Sequence, residues 1–226
     1  MTRNYQPAVS KEAVVAEYTL SAQASDEFAK VKWGSQASMD NRLRLAASLV
    51  DWTRVKSWLD VGCGTGRFFE LVDASEVRVE TRVGIDITAA MITEARRKKY
   101  ALPPRFAVAD LSDLDGAFGR FDLVSLIGVL QQCGVSPAVA LRHSASVLAP
   151  GGQLILTTKH LGWDEFTSGR LQPEEGHSWF EQRELSEAAA GAGLQVLRTG
   201  GLLPREGRLV PADQSHSIFL LATKPS

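Results

Sequence analysis

The 226 residues of this chain are 44% hydrophobic and 23% charged, which lets one domain bury a substantial core. Its 25 Lys and Arg residues nearly balance 26 Asp and Glu, so the net charge of −1 gives no long-range attraction for nucleic acid. Two cysteines are too few for a disulfide framework, no apolar run reaches membrane-spanning length, and residues 1–10 lack the apolar core of a signal peptide. We therefore expect a cytoplasmic protein, a monomer or a homodimer, that binds neither membranes nor nucleic acid.

Two helix-like segments precede the first predicted strand, at residues 10–28 and 38–50. The second places apolar side chains on one face at helical spacing, which is typical of a helix that packs on a core. We expect residues 1–52 to form a helical lid that caps the substrate. The lid belongs to the same domain as the core, which we place at residues 53–226.

A glycine-rich turn follows the first strand, in the stretch Leu59-Asp60-Val61-Gly62-Cys63-Gly64-Thr65-Gly66. Glycines at alternate positions remove the Cβ atoms where a backbone turns tightly and lies against a ligand. The free N–H groups of the next helix point into the same space, so the turn predicts a nucleotide-sized slot. By itself such a turn is also a common strand-to-helix connection.

Two further predicted strands, residues 81–87 and 105–110, also end with an acidic residue. Asp86 comes twenty residues after the last glycine of the turn, a spacing at which a carboxylate accepts both hydroxyls of a ribose. Asp110 is followed by Leu111, a pair that suits the amino edge and the flat face of an adenine. Because ligands of open α/β sheets bind outside the carboxyl ends of the strands, we expect the three carboxylates to converge.

The rest of the chain continues to alternate strands and helices, as a parallel sheet requires. Thr88 and Ser136-Pro137 are predicted to begin crossover helices, and Gly193 to close a last helix at residues 184–192. The remaining predicted strands are residues 121–130, 153–158, 194–199 and 217–223. A connection rich in Pro and Gly separates the last two strands, which favours an antiparallel pair at the end of the sheet.

From Ser57 to the C-terminus these motifs resemble a class I S-adenosylmethionine-dependent methyltransferase of the small-molecule type. The resemblance implies an α/β fold, a three-layer Rossmann-like sandwich whose seven-stranded, mostly parallel sheet carries a C-terminal antiparallel hairpin and an N-terminal helical lid. It also implies S-adenosyl-L-methionine as the cofactor and S-adenosyl-L-homocysteine as the product. The residues that it assigns to the cofactor are Asp60, Gly62, Gly64 and Gly66 for the methionine moiety, Asp86 for the ribose, and Ile87, Met91, Asp110 and Leu111 for the adenine, with Ile127 on the fourth strand.

Methyl transfer of this kind is a single in-line step, and a general base matters when the acceptor has to lose a proton. His177 and, behind it, His160 are our catalytic candidates, because they fall between the fifth strand and the last helix and histidine titrates near neutral pH. A histidine in such a polar loop is otherwise a solvated surface group. The candidates for an apolar acceptor pocket are Tyr18, Trp33, Trp163 and Trp179.

Several alternatives follow from the same motifs. A nicotinamide site usually has two residues between its second and third glycines, whereas here one residue separates them. The end of the fourth strand lacks the Asn/Asp-Pro-Pro-aromatic motif of relatives that methylate nucleobases, and no acidic cluster predicts a metal. We expect a methyl group to reach an oxygen or nitrogen of a small molecule; the alternatives are an RNA or protein methyltransferase, or a non-catalytic protein that binds S-adenosylmethionine.

Overall fold

One mixed β-sheet organises the chain in the computed structural model, which describes residues 10–115, 118–174 and 176–226. The strands are β1 (Ser57–Val61), β2 (Thr81–Asp86), β3 (Arg105–Val108), β4 (Phe121–Ile127), β5 (Leu148–Lys159), β6 (Gln195–Leu203), β7 (Arg208–Val210) and β8 (Ser217–Thr223). Their order across the sheet is β3-β2-β1-β4-β5-β8-β6-β7. The first five strands are parallel, and β8 enters antiparallel between β5 and β6.

Helices cover both faces of the sheet. They are α1 (Lys11–Ser21), α2 (Glu27–Lys30), α3 (Gln36–Leu49), α4 (Arg67–Asp73), α5 (Ala89–Arg97), α6 (Pro137–Ser146), α7 (Asp164–Thr167) and α8 (Gln182–Gly191). Buried side chains of α3, α4 and α5 share one apolar cluster with one face of the sheet, while those of α6 and α8 share a second cluster with the other face. This arrangement confirms the three-layer α/β Rossmann-like sandwich.

The sheet has one strand more than the seven that we expected. Strand β7 lies in the connection between the two last predicted strands and pairs antiparallel with β6, with Leu202 opposite Leu209. Its three residues are too few to give an alternating pattern that can be recognised in the sequence. The extra strand extends the edge of the sheet and leaves the antiparallel pair of β6 and β8 as predicted.

Local capping explains where several helices begin. The hydroxyl of Ser136 accepts a hydrogen bond from the N–H of Val139, so the predicted cap of α6 is present. At α5 the predicted cap residue Thr88 occupies the capping position, but its side chain makes no capping bond. The carboxylate of Asp86 instead accepts from the N–H of Thr88, at 2.8 Å. The predicted helix at residues 10–28 is divided into α1 and the single turn α2.

Parts of the sequence-based prediction lie outside the described residues, namely the polar start at residues 1–9. In the described ranges, no helix is both long and apolar enough to cross a membrane. Within these same ranges, no group of three or more His, Cys, Asp or Glu side chains is placed to hold a metal ion. The absence of a metal cofactor stays a prediction.

Candidate functional site

A cavity opens at the carboxyl ends of the parallel strands, with an empty volume of about 1110 Å³ that includes the part open to solvent. Its lining contains most of the predicted cofactor residues, which come from β1, β2 and β4 and from the segments that follow the first four strands. The predicted site residues that line it are Tyr18, Trp33, Asp60, Gly62, Gly64, Asp86, Ile87, Met91, Asp110, Leu111 and Ile127. The three strand-end carboxylates therefore meet in one place.

Asp60 is the most deeply buried of these carboxylates, with 4% of its surface exposed. The hydroxyl of Ser125 donates to its Oδ1 at 2.5 Å, and the indole N–H of Trp58 donates to the same hydroxyl at 2.7 Å. Burial raises the pKa of Asp60 to about 7; the bond from Ser125 opposes this shift, and the nearby charge of Asp86 adds to it. Asp60 thus changes its charge within the physiological pH range.

Asp86 connects the glycine turn to the next helix. Its Oδ2 accepts from the N–H of Gly64 at 3.0 Å, while its Oδ1 accepts from Thr88. Burial raises the pKa of Asp86, and these backbone bonds partly oppose the effect. Each carboxylate oxygen keeps a lone pair, so both can still accept hydroxyl hydrogens from a ligand.

The glycines of the turn are held in a conformation that other residues rarely adopt. Gly62 has a φ of 68°, and a Cβ added there would lie 2.4 Å from Cγ2 of Val129. Gly66 has a φ of 77° and lies at the start of α4, just behind the cavity, rather than among its lining residues. The turn therefore presents bare backbone to the cavity at Gly62 and packs tightly against side chains at Gly66.

Asp110 is held by the first helix of the chain. Lys11 forms an ion pair with its Oδ2, and the N–H of Ser112 donates to its Oδ1 at 2.8 Å. Burial acts to raise the pKa of Asp110, but the bonds from Lys11 and Ser112 outweigh it and lower the pKa below its usual value. Asp110 consequently remains ionised, and its remaining lone pairs can accept hydrogen bonds from a ligand.

Side chains of α1 and of the segment before α3 form the outer wall of the cavity. The hydroxyl of Tyr18 donates to Oε1 of Gln132, a cavity residue that follows β4. The ring of Trp33 lies over Gly128, where an added Cβ would be 3.4 Å from Cζ2 of the indole. These contacts join the N-terminal helices to the carboxyl end of β4.

The two candidate histidines occupy different environments. His177 stands outside the cavity lining, with its Nε2 3.2 Å from Nε2 of Gln132 and its Nδ1 3.6 Å from a carboxylate oxygen of Glu174. Since Oε1 of Gln132 accepts from a tyrosine, its amide N–H donates to His177, whose Nε2 carries a lone pair. His160 is 3% exposed and its Nδ1 donates to the carbonyl of Ser215 at 3.1 Å, away from the cavity; burial lowers its pKa.

Two of the four candidate aromatic residues, Trp163 and Trp179, are also placed outside the cavity lining. Each packs edge-on against Phe166 at a centroid distance of 5.0 Å, and Trp163 lies 5.5 Å from the ring of His216. The ammonium of Lys159 stands 4.7 Å from the centre of the Trp179 ring. These rings form a separate cluster around α7.

Sequence reasoning did not identify several residues that shape the cavity. Lys11 and Gln132 are examples, since nothing in their local sequence indicates contacts 99 and 114 residues away. Arg67 is another, because it forms a two-pronged ion pair with Asp40, with both N–O distances at 2.9 Å. The consecutive glutamines 131 and 132 after the fourth strand were the available signal for a polar wall.

Comparisons with known proteins show what the chain is similar to. A family model described as a methyltransferase domain matches residues 30–199. The ubiquinone biosynthesis O-methyltransferase of Xanthomonas euvesicatoria pv. vesicatoria is 29% identical over 180 residues, which cover 73% of this chain and 70% of that protein. An uncharacterized 37.1 kDa protein in a transposon of Streptomyces fradiae is 35% identical over 114 residues, half of this chain; the match spans about a third (32%) of its length.

The fold has close structural counterparts as well. The crystal structure of the N-methyltransferase NodS from Bradyrhizobium japonicum, in complex with S-adenosyl-L-homocysteine, superposes with a TM-score of 0.65. The sequences are 16% identical, and the match covers 94% of this chain and 98% of that chain. This similarity establishes a shared fold.

We predict that Gly66→Ala destabilises the protein by about 2–4 kcal/mol, since it combines the strain of a left-handed backbone with overpacking. The new Cβ would lie 2.2 Å from the hydroxyl of Tyr100 and 3.2 Å from Cζ of Phe106. Gly193→Ala is the matched control, because Gly193 has a φ of 76° and no atom within 4 Å of an added Cβ. We expect this control to lose about 1 kcal/mol of unfolding free energy. If urea unfolding shows equal losses for the two variants, packing around Gly66 does not explain the effect.

Proposed function

This chain belongs to the family of proteins with a methyltransferase domain, and we propose that it moves a methyl group from S-adenosyl-L-methionine to an oxygen or nitrogen of a small-molecule acceptor. The observation that carries the proposal is the convergence of Asp60, Asp86 and Asp110 with the glycine turn in one cavity. Oxygen is the favoured acceptor atom, because the relative from Xanthomonas that aligns with 73% of the chain is named an O-methyltransferase.

The strand order assigns one part of the cofactor to each carboxylate. Asp110 and Leu111, after β3, suit the adenine; Asp86, at the end of β2, suits the ribose hydroxyls; and Asp60, in β1, suits the ammonium of the methionine moiety. Gly62 allows the turn to approach this ligand, because a Cβ there would lie 2.4 Å from Cγ2 of Val129, which also lines the cavity. When bound, the cofactor supplies an electrophilic sulfonium methyl group.

The protein's own contribution is positioning and exclusion of water. The acceptor atom has to stand in line with the S–CH3 bond at roughly 3 Å, so that the new bond to the methyl forms as the bonding pair leaves with sulfur. Tyr18 and Trp33 close the cavity from the N-terminal side, which excludes solvent from that space. We therefore assign the lid role to residues 1–52, of which residues 10–52 are described.

His177 remains our candidate for the general base. It connects to the cavity through Gln132, which lines it, and its Nε2 carries the lone pair that proton removal needs. To accept a proton from an acceptor hydroxyl, His177 has to exchange its bond with Gln132 for one with the acceptor. Catalytic hydrogen bonds of ligand-free enzymes often form in this way when the substrate binds.

The proposal is tested by calorimetry and by labelled methyl transfer. We expect S-adenosylmethionine and S-adenosylhomocysteine to bind, and labelled methyl groups to reach members of a panel of phenols and amines, with no incorporation into tRNA or protein fractions. Binding without transfer to any fraction would identify a non-catalytic binding protein. Incorporation into tRNA or protein alone would show that the acceptor is a polymer and not a small molecule. If neither compound binds, the proposed cofactor is wrong.

We predict that cofactor affinity depends on the ionisation of Asp60. Because its pKa is raised to about 7 and the ammonium of the methionine moiety pairs with the ionised carboxylate, affinity is lost as the pH falls through that value. Between about pH 7 and pH 5.5 the dissociation constant should rise by about tenfold. Calorimetry at several pH values tests this: Asp60→Asn should bind weakly at every pH, and a flat profile for the unmodified protein would refute the assignment.

We predict that His177→Ala lowers turnover by about a hundredfold while cofactor affinity stays unchanged, as expected for loss of a general base. His143→Ala is the control, because its Nδ1 bonds to the carbonyl of Leu114 at 2.8 Å and it does not line the cavity. Steady-state methyl transfer and calorimetry measure the two quantities. Unchanged turnover of the His177 variant would remove this residue from the mechanism.

A further inference from the structure

Arg42, on α3, is a half-buried cation with unused hydrogen-bonding capacity. Its Nη1 donates to the hydroxyl of Ser217 at 3.1 Å, and its Cζ lies 5.3 Å from the centre of the Trp33 ring. Burial lowers its pKa to about 10, so the group stays charged at neutral pH, and no carboxylate pairs with it among the described residues. Arg67, in contrast, is paired with two carboxylates, those of Asp40 and Glu70.

The surroundings of Arg42 lie at the carboxyl end of β5, beside the cavity, whose lining includes Trp33 and Ile127 but neither Arg42 nor Thr157. Ser217 is the register partner of Lys159 at the end of β5, and Thr157 pairs with Ile127, which lines the cavity. Thr157 is fully buried, and its hydroxyl has no hydrogen-bond partner in the described part of the chain. Alternation along β5 places Thr157 and Lys159 on the face of the sheet that α3 covers.

The strand order places this region on the acceptor side. Adenine, ribose and methionine are assigned to β3, β2 and β1, so the next strands in line are β4 and β5. An acceptor that meets the methyl group from beyond the methionine moiety therefore extends toward Trp33 and Arg42. Trp33 is common to both regions, since it lines the cavity and also packs against the guanidinium.

Other charges near Arg42 are mostly positive. Loss of solvent lowers the pKa of His216, and the charges of Arg42, Lys159 and Arg205 lower it further. Lys159 is paired with Glu174, whose side chain is 66% exposed. A cationic side chain that is partly shielded from water lacks some of the hydrogen bonds that water would supply. An anionic ligand is favoured there, because it provides hydrogen-bond acceptors and balances the charge.

We propose that Arg42 binds a carboxylate of the methyl acceptor, with the acceptor's apolar body against Trp33. A guanidinium matches a carboxylate through two parallel N–H bonds, and Arg42 uses one of its five N–H groups on Ser217. The compound bound there is then a small aromatic or apolar acid. That this acid is the methyl acceptor rests on the proposed methyltransferase function.

Binding measurements test the carboxylate site without relying on activity. The probes are para-hydroxybenzoate, para-hydroxyphenylacetate and para-hydroxycinnamate, each compared with its neutral amide by calorimetry on the complex with S-adenosylhomocysteine. We expect at least one acid to bind about tenfold or more tightly than its amide, as charge-assisted bonds predict. Arg42→Gln should remove this preference, and Arg42→Lys should restore part of it.

Arg44→Gln is the matched control, because Arg44 lies on the same helix and is exposed. It should keep the preference for acids, and thermal unfolding of all variants verifies that they are folded. The proposal is overturned if the unmodified protein prefers no acid over its amide, or if Arg42→Gln keeps the preference.

Methyl transfer to the same compounds separates the two proposals. Transfer that is equally fast for acids and amides rejects the carboxylate site and leaves the methyltransferase assignment intact. Acid binding that requires Arg42, without any transfer, supports the site and argues against these acids as methyl acceptors.

Discussion

The carboxylate of Asp86 holds the candidate site together. One of its oxygens accepts from the N–H of Gly64 in the turn after β1, and the other accepts from Thr88 at the start of α5. A buried carboxylate is costly unless hydrogen-bond donors satisfy it, and the donor from Gly64 is available only when the turn adopts its tight glycine conformation. The shape of the cavity floor and the position of the carboxylate are therefore set by the same two hydrogen bonds.

Charge is distributed across the sheet in strand order. Asp60 and Asp86 belong to β1 and β2, and Asp110 follows β3. Lys159 ends β5, and Arg42, on α3, bonds to Ser217 of β8. The acidic end suits a cofactor with hydroxyl, amino and ammonium groups, and the basic end suits an acid. The net charge of −1 is a sum over the whole chain, so composition alone gave no indication of this local separation.

The convergence of the three strand-end acids on one cavity could be predicted because its information is local in the sequence. An acid at the end of a strand and the glycine turn after it are neighbours in the sequence, so their local geometry does not depend on distant residues. Right-handed crossovers between parallel strands then bring successive strand ends to the same edge of the sheet. The acceptor side depends on loops whose partners are distant in the chain. Trp163 and Trp179 were placed in the pocket by their position after β5, but the loop packs them against Phe166, away from the cavity lining.

The ion pair between Lys11 and Asp110 makes one wall of the cavity sensitive to the surrounding solution. It connects the first turn of α1 to the residue assigned to the adenine, and 42% of the Lys11 side chain is exposed. Partly exposed pairs of this kind weaken as ionic strength rises. The contact that holds α1 against Asp110 is consequently sensitive to dissolved salt, a property of the medium, as well as to the packing of the helix.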